Sequence, residues 1–341
     1  MAYQYIDREE CIGDSLVKIN TNTANLDSAV IDINTQLGTL YSNIANIRLS
    51  YSSTTPVPTT DILNATTLFI HPYRGNIISL YNTTTNTWIR YTYNDVLPFS
   101  IATLNANTNY DVYLSITNNV FAVNFVAWSS SVVGAIPPTR TYKDGVVVNP
   151  IDFSQRFVGC LRTTSAGRSE QSFGSVVAGG SSPKQFLWNA QNRVPTTVRN
   201  FDNGNWSVQS PAGGSTGWLR VNQTGPGGGF NNKLSFISGD QLTVDVSSTI
   251  HFQMNRADAA AYQLLSVNND ITPIYTGYGI LGSENAGLPN SSTYSELKQT
   301  LTGYNYVQMF ELYYTNGYVQ AIGDAGHGNL QLTGFIASLE S

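Results

Sequence analysis

The sequence predicts a mainly β protein, in which an N-terminal parallel trimeric α-helical coiled coil is followed by antiparallel β-sandwich or jelly-roll domains. A strict heptad of apolar residues between Ile12 and Ile47 predicts the coiled coil, and short strand-like segments between turn-forming residues fill the rest. Charged residues make up only 11% of the chain, against the ~25% typical of soluble proteins. A surface with so little charge favours contact with further copies of the same chain.

The heptad defines an apolar seam in the first fifty residues. Its members follow one another at alternating intervals of four and three residues, and they are Ile12, Leu16, Ile19, Thr23, Leu26, Val30, Ile33, Leu37, Leu40, Ile44 and Ile47. A helix packed on its own domain has a period of 3.6 residues, whereas a sustained 3.5-residue repeat is typical of coiled coils. Isoleucine at most d positions disfavours two strands and predicts three.

Two points of this interpretation stay open. Thr23 either helps to fix the register of the seam or is a tolerated polar substitution. The segment could also form one long helix packed on its own domain, although so narrow a seam would bury little surface there.

The sequence predicts four segments. Residues 1–50 form the coiled coil, which trimerises the chain and attaches it to a larger particle, and residues 51–175 form a β-sandwich or barrel that acts as a spacer. The Gly- and Ser-rich start of residues 176–200 predicts a connector. Residues 201–341 are expected to form a C-terminal jelly-roll-like head, because the chain ends on a strand-like, Leu- and Phe-bearing segment.

Composition also narrows the possible partners. The net charge of −5 and the scattered basic residues argue against a nucleic-acid partner. The sequence contains no run of about 18 apolar residues, so it predicts no membrane span. The residues before residue 12 show no signal-peptide pattern. We therefore expect synthesis and assembly in a cytosol.

The residues that could carry chemistry form no recognisable catalytic or metal-binding motif. The histidines His71, His251 and His327 lack the spacing of zinc ligands. His327 could meet its copies on a three-fold axis and hold an ion with Asp324, but a solvated loop histidine is the favoured interpretation. We expect no catalytic residue, no metal site and no cofactor. A glycosidase remains an alternative if two carboxylates meet across a cleft between subunits.

Aromatic residues in the last third are candidates for glycan binding. They lie in or near Gly-, Asn- and Ser-rich segments, where exposed rings could stack on sugars, and they are Trp206, Trp218, Tyr275, Tyr278, Tyr304 and Tyr306. Ordinary packing in strands and core is the alternative for each of them.

Several segments resemble one known family. CIGDSLVKINTNTANLDSAV, HPYRGN, NYDVYL, FVGCLRTTSAGRSEQSF and WNAQNRV occur in this order between residues 11 and 200. Together they resemble the structural and tail-fibre proteins of tailed-bacteriophage virions. The resemblance implies a non-enzymatic component of the virion, with other tail, baseplate or neck proteins as partners. The last third is similar only in general character to the trimeric β-heads of viral fibres, and such an analogy does not determine function.

Together these observations predict a homotrimeric phage tail fibre that binds host-cell surface polysaccharide through its C-terminal head. The alternative is a capsid or neck fibre, or a tail-assembly protein, without a receptor-binding role.

Overall fold

The computed structural model describes most of the chain. The described residues are 12–174, 182–202, 206–209, 218–220, 233–240, 243–254, 260–268, 279–282, 289–313, 318–321 and 333–340. Within them the protein is mainly β, with several antiparallel sheets and one helix. None of the described helical structure has the length and hydropathy needed to cross a bilayer.

The helix α1 spans Ile12–Ser42, which corresponds to a length of about 46 Å. It therefore ends before the last two residues of the predicted seam. Ile44 lies in the link that follows the helix, and Ile47 is 1% exposed in the first strand. The apolar residues Ala45, Ile47 and Leu49 alternate along the chain and belong to the hydrophobic core, so the apolar period changes from 3.5 to 2.

The first half of the chain forms fourteen strands within the described residues. They are β1 (Ile47–Ser50), β2 (Ile62–Ala65), β3 (Thr67–Pro72), β4 (Ile77–Asn82), β5 (Thr87–Thr92), β6 (Leu97–Ser100), β7 (Asn109–Thr117), β8 (Val120–Ala127), β9 (Thr141–Lys143), β10 (Val146–Val148), β11 (Arg156–Arg162), β12 (Ser169–Ser172), β13 (Lys184–Gln185) and β14 (Leu187–Asn189).

The second half continues with strands that are longer on average. They are β15 (Pro195–Asp202), β16 (Trp206–Gln209), β17 (Trp218–Arg220), β18 (Lys233–Ser238), β19 (Thr243–Met254), β20 (Ala260–Val267), β21 (Gly279–Gly282), β22 (Pro289–Gln299), β23 (Gly303–Tyr313), β24 (Tyr318–Ala321) and β25 (Thr333–Glu340).

These strands pair into five sheets within the described residues. The small ones are β1-β3-β6 and the hairpin β4-β5, and a larger one has the order β8-β7-β11-β10-β9 with β14 on β11. One sheet contains strands from both halves of the chain, and we call it the shared sheet. Its order is β2-β12-β13-β18-β23-β20-β21, with β17 on β23, and the last sheet has the order β15-β25-β19-β24-β16, with β22 on β19. All these strand pairs are antiparallel except β13 with β18.

The shared sheet crosses the boundaries that the sequence suggested. Strand β13 lies in the expected connector, yet it pairs with β12 on one side and with β18 on the other. Strand β15 also begins inside the expected connector and pairs along its whole length with β25. Residues 182–202 therefore contain three strands, of which β13 pairs with strands of both halves. A fragment that starts at residue 201 would lose the pairing of β13 with β18 and most of the pairing of β15 with β25.

One hydrophobic core cluster of the described residues lies in the first half of the chain. It joins the inward faces of β1, β3, β4, β7 and β11, and it includes Ile47, Leu49, Leu68, Ile70, Ile78, Leu80, Val112, Leu114, Val158 and Leu161. Burying aliphatic side chains of this size stabilises a fold by roughly 1.5–3 kcal/mol each before conformational entropy is counted.

A buried arginine attaches the C-terminal end of α1 to this core. Nη1 of Arg156 lies 2.7 Å from the carbonyl oxygen of Ser42, 3.2 Å from that of Ile44 and 3.0 Å from that of Ser79. The last carbonyls of a helix have no partner within the helix, and the helix dipole makes this end attractive to a cation. Burial lowers the pKa of Arg156 to about 10, so the side chain stays charged at neutral pH.

Replacing Arg156 with Ala should lower the free energy of unfolding by at least about 3 kcal/mol, because three buried carbonyls lose a charged donor. Urea unfolding at fixed protein concentration measures this loss. The exposed Arg168 provides the control, since Arg168→Ala should change stability by no more than about 0.5 kcal/mol. Equal effects of the two substitutions would contradict the role of Arg156.

His71 should make the fold sensitive to acid. Its side chain is buried, its Nε2 lies 2.7 Å from the carbonyl oxygen of Ser52, and burial lowers its pKa below 6.5. The unfolded state therefore takes up a proton at higher pH than the folded state, and stability falls as the pH drops below about 6.5. Arg48, its cross-strand neighbour, is also buried.

In thermal unfolding between pH 7.5 and 5, wild type should therefore lose more stability than His71→Gln, which cannot be protonated. The same loss in both proteins would show that other groups dominate the acid response.

Candidate ligand-binding face

The two faces of β18 and β23 differ in burial. One face is fully buried, with Leu234, Phe236, Asn305 and Val307 each 0% exposed. On the other face Tyr304 lies opposite Ile237, and Tyr306 lies opposite Ser235. This face is buried at Ile237 but only half-buried at both tyrosines. Strand alternation thus presents two tyrosines, two residues apart, on a partly open surface.

Each tyrosine ring has a cation above it. The ring centroids of Tyr304 and Tyr306 lie 6.2 Å apart. The guanidinium carbon of Arg162 lies 4.1 Å from the centre of the Tyr304 ring, and the ammonium nitrogen of Lys233 lies 4.1 Å from the centre of the Tyr306 ring. Such distances are typical of cation–π contacts. We call these four residues the tyrosine face.

Arg162 reaches this face from β11. Its Nη1 donates to Oδ1 of Asn109, at 2.7 Å, and to the backbone oxygen of Ser131, at 2.9 Å. Both acceptors are neutral, and burial lowers the pKa of the guanidinium. The Phe186 ring also borders the site, with its centroid 6.3 Å from that of Tyr304.

The surroundings of the tyrosine face are cationic. Lys184 lies opposite Ser235 on the neighbouring strand, and its Nζ is 2.6 Å from Oε1 of Glu170. The ion pairs among the described residues do not include Arg162 or Lys233. Among the described residues, the cations Arg162, Lys233 and Lys184 and the carboxylate of Glu170 thus lie around the two tyrosines, in a chain with a net charge of −5.

A buried ion pair holds β18 in place. Asp111 on β7 is 0% exposed; its Oδ1 accepts from Nη2 of Arg140 and its Oδ2 from Nε, both at 2.8 Å. The indole N–H of Trp128 also donates to Oδ1, at 2.9 Å. Nη1 of Arg140 donates to the backbone oxygen of Gly239, directly after β18, at 2.9 Å. The bidentate geometry fixes the end of β18 relative to β7.

The first residue of β23 has to be a glycine. Gly303 has φ +99°, and a Cβ there would lie 2.7 Å from the Trp128 ring. A side chain at this position would therefore displace the start of the strand that carries both tyrosines.

Cys160 belongs to the same buried network and does not have the environment of a nucleophile. Its Sγ lies 3.3 Å from Oδ1 of Asp111, and its side chain is fully buried. Burial, with the nearby carboxylate, raises the pKa of the thiol well above its ordinary value. The thiol therefore acts as a weak hydrogen-bond donor in the core.

The structure describes only some of the predicted glycan-binding residues. Tyr304 and Tyr306 lie together on the tyrosine face. Trp206 is in β16 and Trp218 is in β17, opposite Leu312 of β23, while Tyr275 and Tyr278 lie outside the described residues.

The histidines considered as metal ligands are not grouped in the described residues. His71 is buried, and His251 belongs to β19. His327 and Asp324 lie outside the described residues. Among the residues that the structure describes, no three His, Cys, Asp or Glu side chains are grouped so that they could hold a metal ion.

Sequence reasoning missed the two cations of the site. The pattern Tyr-Asn-Tyr at 304–306 indicates that both tyrosines share a strand face. No pattern indicates that Arg162, more than 140 residues earlier, lies over one of the rings. Lys233 looks like an ordinary strand-end lysine until the register of β18 with β23 is known.

Comparison with known proteins identifies no family. No family model and no curated protein matches the chain. A structure of infectious bursal disease virus, Gx strain, aligns at 12% identity over 86% of this chain and 74% of the other, with a TM-score of 0.24. A Bacillus thuringiensis Cry1Da tryptic core variant aligns at 11% identity over 88% of this chain and 53% of the other, with a TM-score of 0.21. Scores this low do not establish a shared fold.

Removing Arg140 should weaken the whole assembly around Asp111. Arg140→Met leaves a buried carboxylate without its cation, so we expect a loss of about 3–5 kcal/mol in the free energy of unfolding. The double variant Asp111→Asn with Arg140→Met should recover part of this loss, because neither charge is then left alone. Chemical unfolding of the three proteins measures both effects, and a double variant less stable than Arg140→Met would contradict the explanation.

Proposed function

We propose that the chain is a non-enzymatic structural subunit of a bacteriophage particle. It forms a homotrimeric tail fibre through a parallel three-stranded coiled coil of α1, and it binds host-surface glycan through its C-terminal β-strands, in jelly-roll-like packing. The fibre is assembled in the host cytoplasm and attaches to other tail, baseplate or neck proteins. The exposure of the apolar seam in the single chain supports this proposal most strongly.

The side chains of the central seam point into solvent. Their exposed fractions are 56% for Leu16, 48% for Ile19, 53% for Leu26, 54% for Val30 and 56% for Ile33. The protein therefore presents a long apolar stripe on a helix rich in Asn and Thr, which would be marginal in water without a partner. A coiled coil buries such a stripe, and the strict heptad fits identical helices in register.

The exposed stripe argues against packing of α1 on its own domain. The described contacts of the helix with the β-structure are at its C-terminal end. The carbonyl oxygen of Tyr41 accepts from the hydroxyl of Ser79, at 2.5 Å, and the guanidinium of Arg90 lies 4.0 Å from the centre of the Tyr41 ring. The central turns of the helix are then available for partners.

Thr23 is satisfied within its own helix. Its hydroxyl donates to the carbonyl oxygen of Ile19, at 3.0 Å. Because the hydroxyl has this partner, it needs none across the seam, which favours a tolerated substitution over a register-fixing contact.

Parallel association would place all three tyrosine faces at the same end of the stalk. The C-terminal end of each helix is attached to its own β-structure through Arg156. Three weak glycan sites on one particle increase avidity through effective concentration without any new contact. This arrangement and the resemblance of residues 11–200 to tailed-phage virion proteins support the tail fibre over the capsid, neck or tail-assembly alternative.

Location on the particle tests this choice. Immunogold electron microscopy with an antibody against the full chain should label the tail or baseplate of intact particles. Purified full chain should also block adsorption of the phage to host cells. Label on the head or collar, without inhibition of adsorption, would favour the structural alternative.

Disrupting the seam should abolish the trimer. With Ile19, Leu26 and Ile33 all replaced by Asp, light scattering coupled to size exclusion should give the mass of one chain, or an aggregate, instead of three chains. Three charges in each helix would otherwise be buried at the centre of the coiled coil.

The same helix offers a matched control. Val17, Ala24 and Ile31 have the same seven-residue spacing and are also exposed, but they lie outside the seam. Replacing these three residues with Asp adds the same charge and should leave a trimer. A trimer that survives the seam substitutions would overturn the proposed role of the seam.

A further inference from the structure

The geometry points to the chemical class of the glycan, an inference that rests on the proposed glycan binding. We propose that the tyrosine face binds an anionic saccharide. Lys233 and Arg162 bind its carboxylate or phosphate groups, and the hydroxyl of Tyr304 binds a sugar hydroxyl.

The cations change which ligands the two tyrosine rings can bind. Neutral sugars bind proteins by placing C–H groups on an open aromatic face. Here one face of the Tyr304 ring is covered by Arg162, and one face of the Tyr306 ring is covered by Lys233, each at 4.1 Å. A neutral sugar would have to displace a cation from that face, whereas an anionic group can bind the cation and leave the ring contact intact.

The two cations retain capacity for an anion. Arg162 uses Nη1 for Asn109 and Ser131, while its Nε and Nη2 have no acceptor among the described residues. Lys233 has no carboxylate partner there either, and its strand neighbours Leu234 and Ser235 are buried. A half-buried cation with only neutral partners gains more from an added anion than a fully solvated one does.

A polar group suited to a sugar hydroxyl lies beside the cations. The hydroxyl of Tyr304 is 3.4 Å from Oγ of the buried Ser235, which orients it, and this hydroxyl can donate or accept. The nearby Glu170 is paired with Lys184 at 2.6 Å, so the one carboxylate described near this face is already neutralised. The site therefore combines two cations, a half-buried tyrosine hydroxyl and aromatic walls, as expected for an acidic sugar.

Binding measurements on the full chain test the proposal with a matched pair of ligands. Tetragalacturonate and its methyl ester have the same sugar backbone, but only the first is charged. Isothermal titration should show at least about tenfold tighter binding of the acid than of the ester. A phosphorylated oligomannose of equal length serves as a second probe. Tighter binding of either anionic probe than of the methyl ester supports the proposal and identifies the preferred group. The proposal would be overturned if neither the acid nor the phosphorylated probe bound more tightly than the ester.

The variants assign binding to this face. Lys233→Gln should weaken binding of the tighter-bound anionic probe about tenfold, and Lys233→Arg, which keeps the charge, should bind within about threefold of wild type. Lys143, whose ammonium lies 5.1 Å from the centre of the Tyr81 ring, provides the control with the same loss of charge. Lys143→Gln should bind like wild type. Equal effects of Lys233→Gln and Lys143→Gln would overturn the assignment.

The same variants separate this inference from the broader proposal. If Lys233→Gln binds the anionic probe normally while wild type still blocks phage adsorption, host recognition stands and this site is overturned. If Lys233→Gln loses the probe but wild type does not affect adsorption, the site stands and host recognition is overturned.

Discussion

The buried guanidinium of Arg156 connects the two kinds of structure in this chain. A helix that projects from a β-structure has to end in the core without leaving its last carbonyls unpaired. Arg156 meets this requirement from β11, and through Ser79 it also contacts β4. The direction of α1, and hence the end of the proposed stalk at which the strands lie, depends on this contact.

The same solution recurs elsewhere in a protein that has few charges. Arg48 is 2% exposed, and it donates to the backbone oxygens of Pro56 and Asn192 at 2.9 and 2.7 Å. Backbone carbonyls are present wherever loops enter the core, so an arginine can crosslink distant segments without a matching carboxylate. Arg140 differs, because its partner Asp111 is itself fully buried and needs a counter-charge.

Arg162 stands between these cases. Like Arg48 and Arg156, it donates to neutral acceptors, but it lies at a half-open surface above an aromatic ring. The charges of Arg48 and Arg156 are enclosed in the core by the backbone carbonyls that accept from them. On the tyrosine face the charge remains accessible, which distinguishes a candidate binding group from a purely structural one.

The sequence predicts what depends on local periodicity. It predicts a helix near the N-terminus and β-structure after residue 50, because both patterns repeat within a few residues. It misplaces the end of the helix because the spacing of Ile44 and Ile47 fits the heptad, while Ala45, Ile47 and Leu49 also fit a strand. Only packing against β3 and β4 decides between the two.

The connector and the cations beside the tyrosines show what local patterns in the sequence do not predict. Gly-rich composition predicts a linker at 176–200, but pairing of Gln185 with Phe236 and of Pro195 with Glu340 makes strands of its second part. Likewise, Tyr304 and Tyr306 follow from the alternation of a strand, whereas Arg162 and Lys233 are brought to them by pairings between distant segments. Such contacts are properties of the register and leave no local pattern in the sequence.

The attachment of α1 at Ser42 has a mechanical consequence. Tension along the helix would reach the β-structure through hydrogen bonds to Arg156 and Ser79 and through the short link to β1. Because that link is only four residues long, little slack separates helix from sheet. A lateral load on the strands would therefore be transmitted to α1 as a bending moment, and the junction would resist bending instead of acting as a flexible hinge.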